Sequence, residues 1–145
     1  MLSVIVIMNF RYNCKHRNLG QGVSVKEPIL PITLIGKNTK LDFTAILDSG
    51  SVFVLIPKEV ADALEIDYSK GIEIEAESFE GKKFITKIIT LNMEIKKGRE
   101  RAPIQCKAAV SINGPNYNHI ILGSSFFEGF EIIFDYPTDK FLIKR

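Results

Sequence analysis

Cysteine is scarce and poorly placed for chemistry. The 145 residues hold two, Cys14 and Cys106, far apart and outside any CxxC or Cys/His cluster. Such a pair fits a reduced, cytoplasmic protein and leaves a disulfide between the two open. Histidine is as sparse: His16 and His119 stand alone, so neither a metal site nor another cofactor is suggested. An excess of one charge is also missing. Nineteen Lys and Arg face 17 Asp and Glu, for a net charge of +2. That is too mild for a nucleic-acid or membrane partner, which needs cations gathered on one face. The densest basic stretches, Arg11 to Arg17 and Lys96 to Arg101, read as solvated loops or strand ends. No strand interleaves aromatic and basic residues, which counts against a nucleic-acid-binding barrel.

No apolar run reaches the roughly 20 residues of a membrane helix. Leu2 to Met8 is strongly apolar, yet no basic residues precede it and no small-residue cleavage pattern follows. Its β-branched content reads as a buried strand, with Met8 an alternative translation start. Linkers, repeats and low-complexity segments are absent. One domain over 1–145 is expected, with 1–27 as an N-terminal strand region.

What is present is a globular balance, 46 % apolar and 25 % charged, in a chain large enough to bury a core. Strands punctuated by turns run throughout. Ile29 to Ile35 and Leu41 to Leu47 flank a turn and predict a hairpin. Val52 to Ile56 is a short apolar strand. Pro57 then opens the one clear helix, suited to its first position, with Val60 and Leu64 spaced to share a face. A long hairpin follows: Ile72 to Ala76, a turn at Phe79 to Lys82, and Phe84 to Ile95. In its return strand Ile85, Ile89, Leu91, Met93 and Ile95 fall on one side, with Lys87 the exception. Ala102 to Ile112, His119 to Leu122 and a closing hairpin, Phe130 to Asp135 with Lys140 to Lys144, complete the set. A helical turn is expected around Ser124 to Glu128. Many short strands favour a mainly β fold, a barrel or sandwich.

Asp48-Ser49-Gly50 carries the chemistry. By itself the tripeptide is weak, since it arises by chance in roughly one chain of this size in thirty at ordinary residue frequencies. Context raises it, because Asp48 ends one apolar strand and a second follows Gly50 at once. A structural turn there is more often polar on both sides.

Asp48-Ser49-Gly50, the run Ile56-Pro57-Lys58-Glu59-Val60-Ala61, the long hairpin, and Ile121-Leu122-Gly123 followed by Phe126-Phe127 and Phe130-Glu131-Ile132 stand in an order that resembles the retropepsin-like aspartic proteases. The likeness is strongest to their small archaeal and bacterial members and runs from about Pro28 to the C-terminus. It implies a small closed β-barrel with one or two short helices. It also implies a catalytic dyad made of Asp48 from each of two identical chains. Ser49 would lock the two loops together, and Gly50 would leave the backbone room to approach substrate. Gly123 would let its strand pass close behind the loop. The hairpin tip, Ser78, Phe79, Glu80 and Gly81, would be a flap. Phe79 has two readings there: a cap on a substrate side chain, or an aromatic resting on its own barrel. Val52, Phe53, His119 and Ile121 would form pocket walls.

The sequence has no second Asp-Ser-Gly or Asp-Thr-Gly and is too short for a two-lobed enzyme, so activity requires a homodimer. It also departs from the family. The resemblance leads one to expect Asp four positions after the catalytic Asp, and Arg directly after the later Gly; here Val52 and Ser124 stand there. Losing both charges is energetically coherent, whereas losing one would leave the other uncompensated. Family flaps are also richer in glycine. The hairpin from Phe130 onwards resembles the eukaryotic DNA-damage-inducible proteases of the same clan, and implies that the C-terminal strands build the dimer sheet. The expectation is therefore a homodimeric aspartic endopeptidase acting on peptides or unfolded protein. The alternative is a non-catalytic dimeric peptide-binding module on the same fold.

Overall fold

Alternating apolar residues dictate most of the strands. The computed structural model describes residues 8–145, so of the apolar segment Leu2 to Met8 only Met8 falls within it. In chain order the elements are β1 (Asn9–Asn13), β2 (Lys15–Gly20), β3 (Val23–Glu27), β4 (Ile29–Ile35), β5 (Lys40–Leu47), β6 (Val54–Pro57) and α1 (Lys58–Ala63). Then follow β7 (Ile72–Glu77), β8 (Lys83–Lys97), β9 (Glu100–Ser111), β10 (Ile120–Leu122), α2 (Ser124–Phe127), β11 (Glu131–Asp135), a 3-10 turn (Tyr136–Thr138) and β12 (Lys140–Lys144).

Six strands close a barrel in the order β4-β5-β10-β6-β9-β8, sealed where Ile32 to Ile35 pair with Asn92 to Ile95. Strand β8 makes both the barrel and its projection. At about 3.3 Å per residue its length approaches 50 Å, more than the barrel needs. Its inner half pairs with β4, while Lys83 to Ile88 pair with β7 beyond the barrel. Strand β9 runs along the other edge of β8 for most of its length.

The core follows from the pleat. Ile32 and Leu34 of β4, Val54 and Ile56 of β6, and Leu91, Met93 and Ile95 of β8 are fully buried. In the outer half of β8 the buried face changes over. Phe84 and Thr86 are covered, Ile85 is exposed, and Lys87 pairs with Glu73 at 3.5 Å. The single apolar side expected from Ile85 to Ile95 therefore holds only in the inner half. Outside the barrel that side has no core to meet, which accounts for Lys87.

Pro57 is the N-cap of α1, with ψ of 152°, and not its first helical residue. It is also the last residue of β6, where an extended ψ is required. The basic stretch Arg11 to Arg17, expected as loop or strand ends, belongs to β1 and β2. In β1, Phe10 and Tyr12 point inward between exposed polar neighbours. Tyr12 stacks on Phe141 at 5.1 Å and donates to the Lys96 carbonyl at 2.7 Å. Strand β12 lies between β1 and β11 in a separate three-stranded sheet, and β2 and β3 form a two-stranded ribbon. Cys14 and Cys106 are free thiols, both buried, which closes the question of a disulfide between them. Among the described residues no helix is long and apolar enough to cross a membrane.

Candidate active site

Asp48 sits where two strands run out together. Strand β10 lies parallel to β5 with Leu122 opposite Leu47, and the Asp48 N–H donates to the Leu122 carbonyl at 2.9 Å. The chain then turns: Ser51 N–H donates to the Asp48 carbonyl at 3.1 Å, and Gly50 N–H donates to Asp48 Oδ1 at 2.9 Å. Asp48, Ser49 and Gly50 are all exposed. A carboxylate held by one backbone donor in an exposed loop is oriented and still free to react.

The segment behind this loop is held from below by α2. The first N–H groups of a helix have no partner within it. Here Ser124 N–H donates to the Ser51 carbonyl at 2.8 Å and Ser125 N–H to the Val52 carbonyl at 3.0 Å. Ser125 Oγ accepts from Val54 N–H at 2.9 Å and donates to the Lys107 carbonyl at 2.7 Å, tying α2, β6 and β9 at one point. Gly123 makes this approach fit: a Cβ there would lie 2.4 Å from the carbonyl oxygens of both Ser51 and Phe53.

A cleft of about 760 Å³ opens beside Asp48 and Gly50. Val52, Phe53, Leu55 and Ile121 line it from the barrel, and Ile74, Ala76, Phe79 and Phe84 from the projecting hairpin. Period-2 alternation sorts β6: Val54 and Ile56 enter the core, while Leu55 faces the cleft. The Thr86 hydroxyl donates to the Ile74 carbonyl at 2.8 Å, satisfying a buried polar group and joining β8 to β7. At the tip, Ser78 N–H donates to the Lys82 carbonyl at 2.7 Å and Gly81 N–H to the Ser78 carbonyl at 2.9 Å. Phe79 is exposed to 108 % of its reference area, so it does not rest on its own barrel. Glu80 lies on the same turn, exposed.

A second hollow, about 340 Å³, lies on the other side of Asp48 and Ser49, lined also by Pro28, Leu47, Phe134 and Tyr136. Phe134 and Tyr136 meet edge to face at 6.0 Å and are both about half-exposed.

His119 is not brought to the cleft. It stands three residues before Leu122, at the end of β10 away from Asp48, and its Nδ1 pairs with Thr44 Oγ1 of β5 at 2.7 Å. Val52 and Ser124 lie on segments joined by backbone bonds, Ser124 to Ser51 and Ser125 to Val52, but both are uncharged, and Val52 is 67 % exposed. Besides the cleft-lining Leu55, Ile74, Ala76 and Phe84, two further residues absent from the sequence-based expectations belong here. Ser125 carries no signal beyond being a second hydroxyl after Gly123. Tyr117 is visible only as the one aromatic in the polar run Asn113 to Asn118, yet it lines the cleft with Asp48. Burial raises its phenol pKa above the ordinary value, and the charge of Asp48 adds to that. Among the described residues no group of His, Cys, Asp and Glu is arranged to hold a metal ion.

No family model matches the sequence, and no curated protein matches it. Solved structures do. A retropepsin-like aspartic protease from Rickettsia conorii aligns with 99 % of this chain and 97 % of its own, with a TM-score of 0.56 at 19 % identity. EIAV protease, solved with an inhibitor, aligns with 72 % of this chain and 88 % of its own, with a TM-score of 0.44 at 15 % identity. The likeness over nearly the whole of both chains shows a retropepsin-like fold: mainly β, a closed six-stranded barrel and two short helices.

Proposed function

We propose that this retropepsin-like barrel works as a homodimeric aspartic endopeptidase on peptides or unfolded protein. The observation that carries the reading is the placement of Asp48, exposed and oriented by Gly50 N–H at the mouth of a largely apolar cleft. The sequence holds one Asp-Ser-Gly, so the second carboxylate is assigned to a second copy of the chain. Two adjacent carboxylates cannot both ionise cheaply and share one proton. The ionised member takes a proton from water as that water attacks the scissile carbonyl, and its protonated partner donates to the developing oxyanion. The apparent pKa values belong to the pair.

Ser49 joins the two loops, Gly50 admits the substrate backbone, and Gly123 supports the loop from behind. Ser78 to Gly81 form a flap over bound peptide, with Phe79 free to cap a substrate side chain. Val52, Phe53 and Ile121 favour apolar side chains beside the scissile bond. The dimer sheet is assigned to the C-terminal strands, where β11 has one edge unpaired among the described residues. Two buried free thiols suit a reducing, cytoplasmic setting.

Asp48→Asn in the purified protein tests this. Cleavage of a denatured substrate should fall by at least about a thousandfold, the scale of losing an essential acid–base group. Unchanged cleavage removes Asp48 from the chemistry. A second reading, a dimeric peptide-binding module without catalysis, draws on the uncharged Val52 and Ser124. It is favoured if a dimer holds its two Asp48 carboxylates far apart and no cleavage occurs from acidic to neutral pH.

A further inference from the structure

The loop from Asn113 to Asn118 is fastened at one end to the projecting hairpin and at the other to the Asp48 loop. On the hairpin side, Ile85 N–H donates to Asn113 Oδ1 at 2.9 Å and Ile112 N–H to the Ile85 carbonyl at 3.0 Å. Gly114 is pressed against the same strand: a Cβ there would lie 2.7 Å from the Phe84 ring and 2.3 Å from Ser111 Oγ. Gly114 N–H donates to that Oγ at 3.1 Å. Phe84 is buried and lines the cleft. On the other side the loop feeds directly into β10, whose Leu122 carbonyl holds the Asp48 N–H. Between these anchors stands Tyr117, half-exposed and lining the cleft.

Resting on the assignment of Asp48 as the catalytic carboxylate, we propose that Tyr117 is a positioning residue for Asp48, held in their shared cleft by the loop that ties the hairpin to β10. A phenol is suited to that task, since it donates one hydrogen bond to an ionised carboxylate and brings no competing charge. In this structure the Asp48 side chain accepts from Gly50 N–H alone among the described residues, which leaves an oxygen for Tyr117. An ordinary phenol is already a protonated donor in the acidic-to-neutral range, and burial with the Asp48 charge moves Tyr117 further from ionising.

The titratable groups around the cleft are few. Glu75 and Glu77 of β7 line it, and Glu75 is paired with Lys83 at 3.5 Å. Tyr136 faces Asp48 across the second hollow. Of these groups, only Asp48 acts on the Tyr117 phenol by its charge.

The test has two arms in the intact protein. In the first, the phenolate of Tyr117 is titrated by ultraviolet difference between wild type and Tyr117→Phe, with and without Asp48→Asn. Removing the Asp48 charge should lower the Tyr117 midpoint; an unmoved midpoint overturns the proposal. In the second arm, kcat and KM are followed against pH for Tyr117→Phe, Asn113→Ala and the double variant. Tyr117→Phe should lower kcat by about tenfold, the scale of one hydrogen bond to a charged group, with a smaller change in KM. The acid limb of the profile should move to higher pH, because the ionised carboxylate has lost a donor. The double variant should lose less than the product of the two single losses. Multiplying losses, or an unmoved acid limb, overturn it. A phenol that responds to Asp48 in a protein that cleaves nothing would keep the pairing and overturn the endopeptidase reading, so the two failures are distinct.

Discussion

The backbone N–H of Asp48 donates to the carbonyl of Leu122 at 2.9 Å, making the ends of β5 and β10 one rigid corner. The position of the carboxylate is therefore set by a strand that enters the chain much later. Everything that holds Leu122 in place also holds Asp48.

Gly123, next in the chain, has no room for a side chain. A Cβ would lie 2.4 Å from two backbone oxygens, neither of which can swing aside as a side chain could. Gly123→Ala should cost about 2–4 kcal/mol, in the upper range of overpacking and strain. Urea unfolding measures the cost. A variant as stable as the wild type would mean that the loop and β10 are not packed in this way.

Among the described residues, the Ser125 side chain makes two hydrogen bonds and that of Ser124 makes none. Ser125→Ala leaves Val54 N–H and the Lys107 carbonyl without this partner, and should destabilise by about 1–3 kcal/mol. Ser124→Ala, at an exposed site, should stay within about 0.5 kcal/mol. Paired thermal or urea melts of the two variants read the difference. Equal losses would contradict the assignment.

Phe79 separates binding from folding. Because it touches no core, Phe79→Ala should change stability by less than about 0.5 kcal/mol. On a peptide with apolar side chains KM should rise several-fold with the melting curve unchanged. If KM does not move, the tip makes no contact with bound peptide.

Cys106 makes stability pH-dependent on the alkaline side. Burial pushes its thiol from about 9 up to about 11. Between these values the unfolded chain ionises while the folded protein keeps the proton, so unfolding is favoured as pH rises. The contribution is intact below pH 9 and lost by about pH 11, on the order of 3 kcal/mol in all. Urea midpoints measured across this window should fall more steeply for wild type than for Cys106→Ala. Parallel slopes would show that the thiol is not protected.

Much of the strand pattern is legible in the sequence alone, and for a plain reason. A strand with one face in a core alternates, so Ile29 to Ile35, Leu41 to Leu47 and the inner half of β8 declare themselves. The bounds of β1 to β3 do not, although 1–27 reads as a strand region: β1 has only two inward aromatics among polar neighbours, and β2 is exposed along its whole length. The outer half of β8 misleads because its apolar face changes sides where it leaves the barrel. Nearness in sequence to Ile121 suggests a pocket position for His119, whereas its neighbour is Thr44 on an adjacent strand.

By itself the sequence determined the mainly β character, the single Asp-Ser-Gly and its position at the end of an apolar strand. Tertiary structure alone decided that β4 closes the barrel on β8, that Gly123 backs the Asp48 loop, and that Tyr117 shares a cleft with Asp48. Periodicity records which face of a strand is apolar and is local to it. Which edges pair, and which loops then meet, depends on hydrogen bonds and packing between residues far apart in the chain, and no short pattern encodes those.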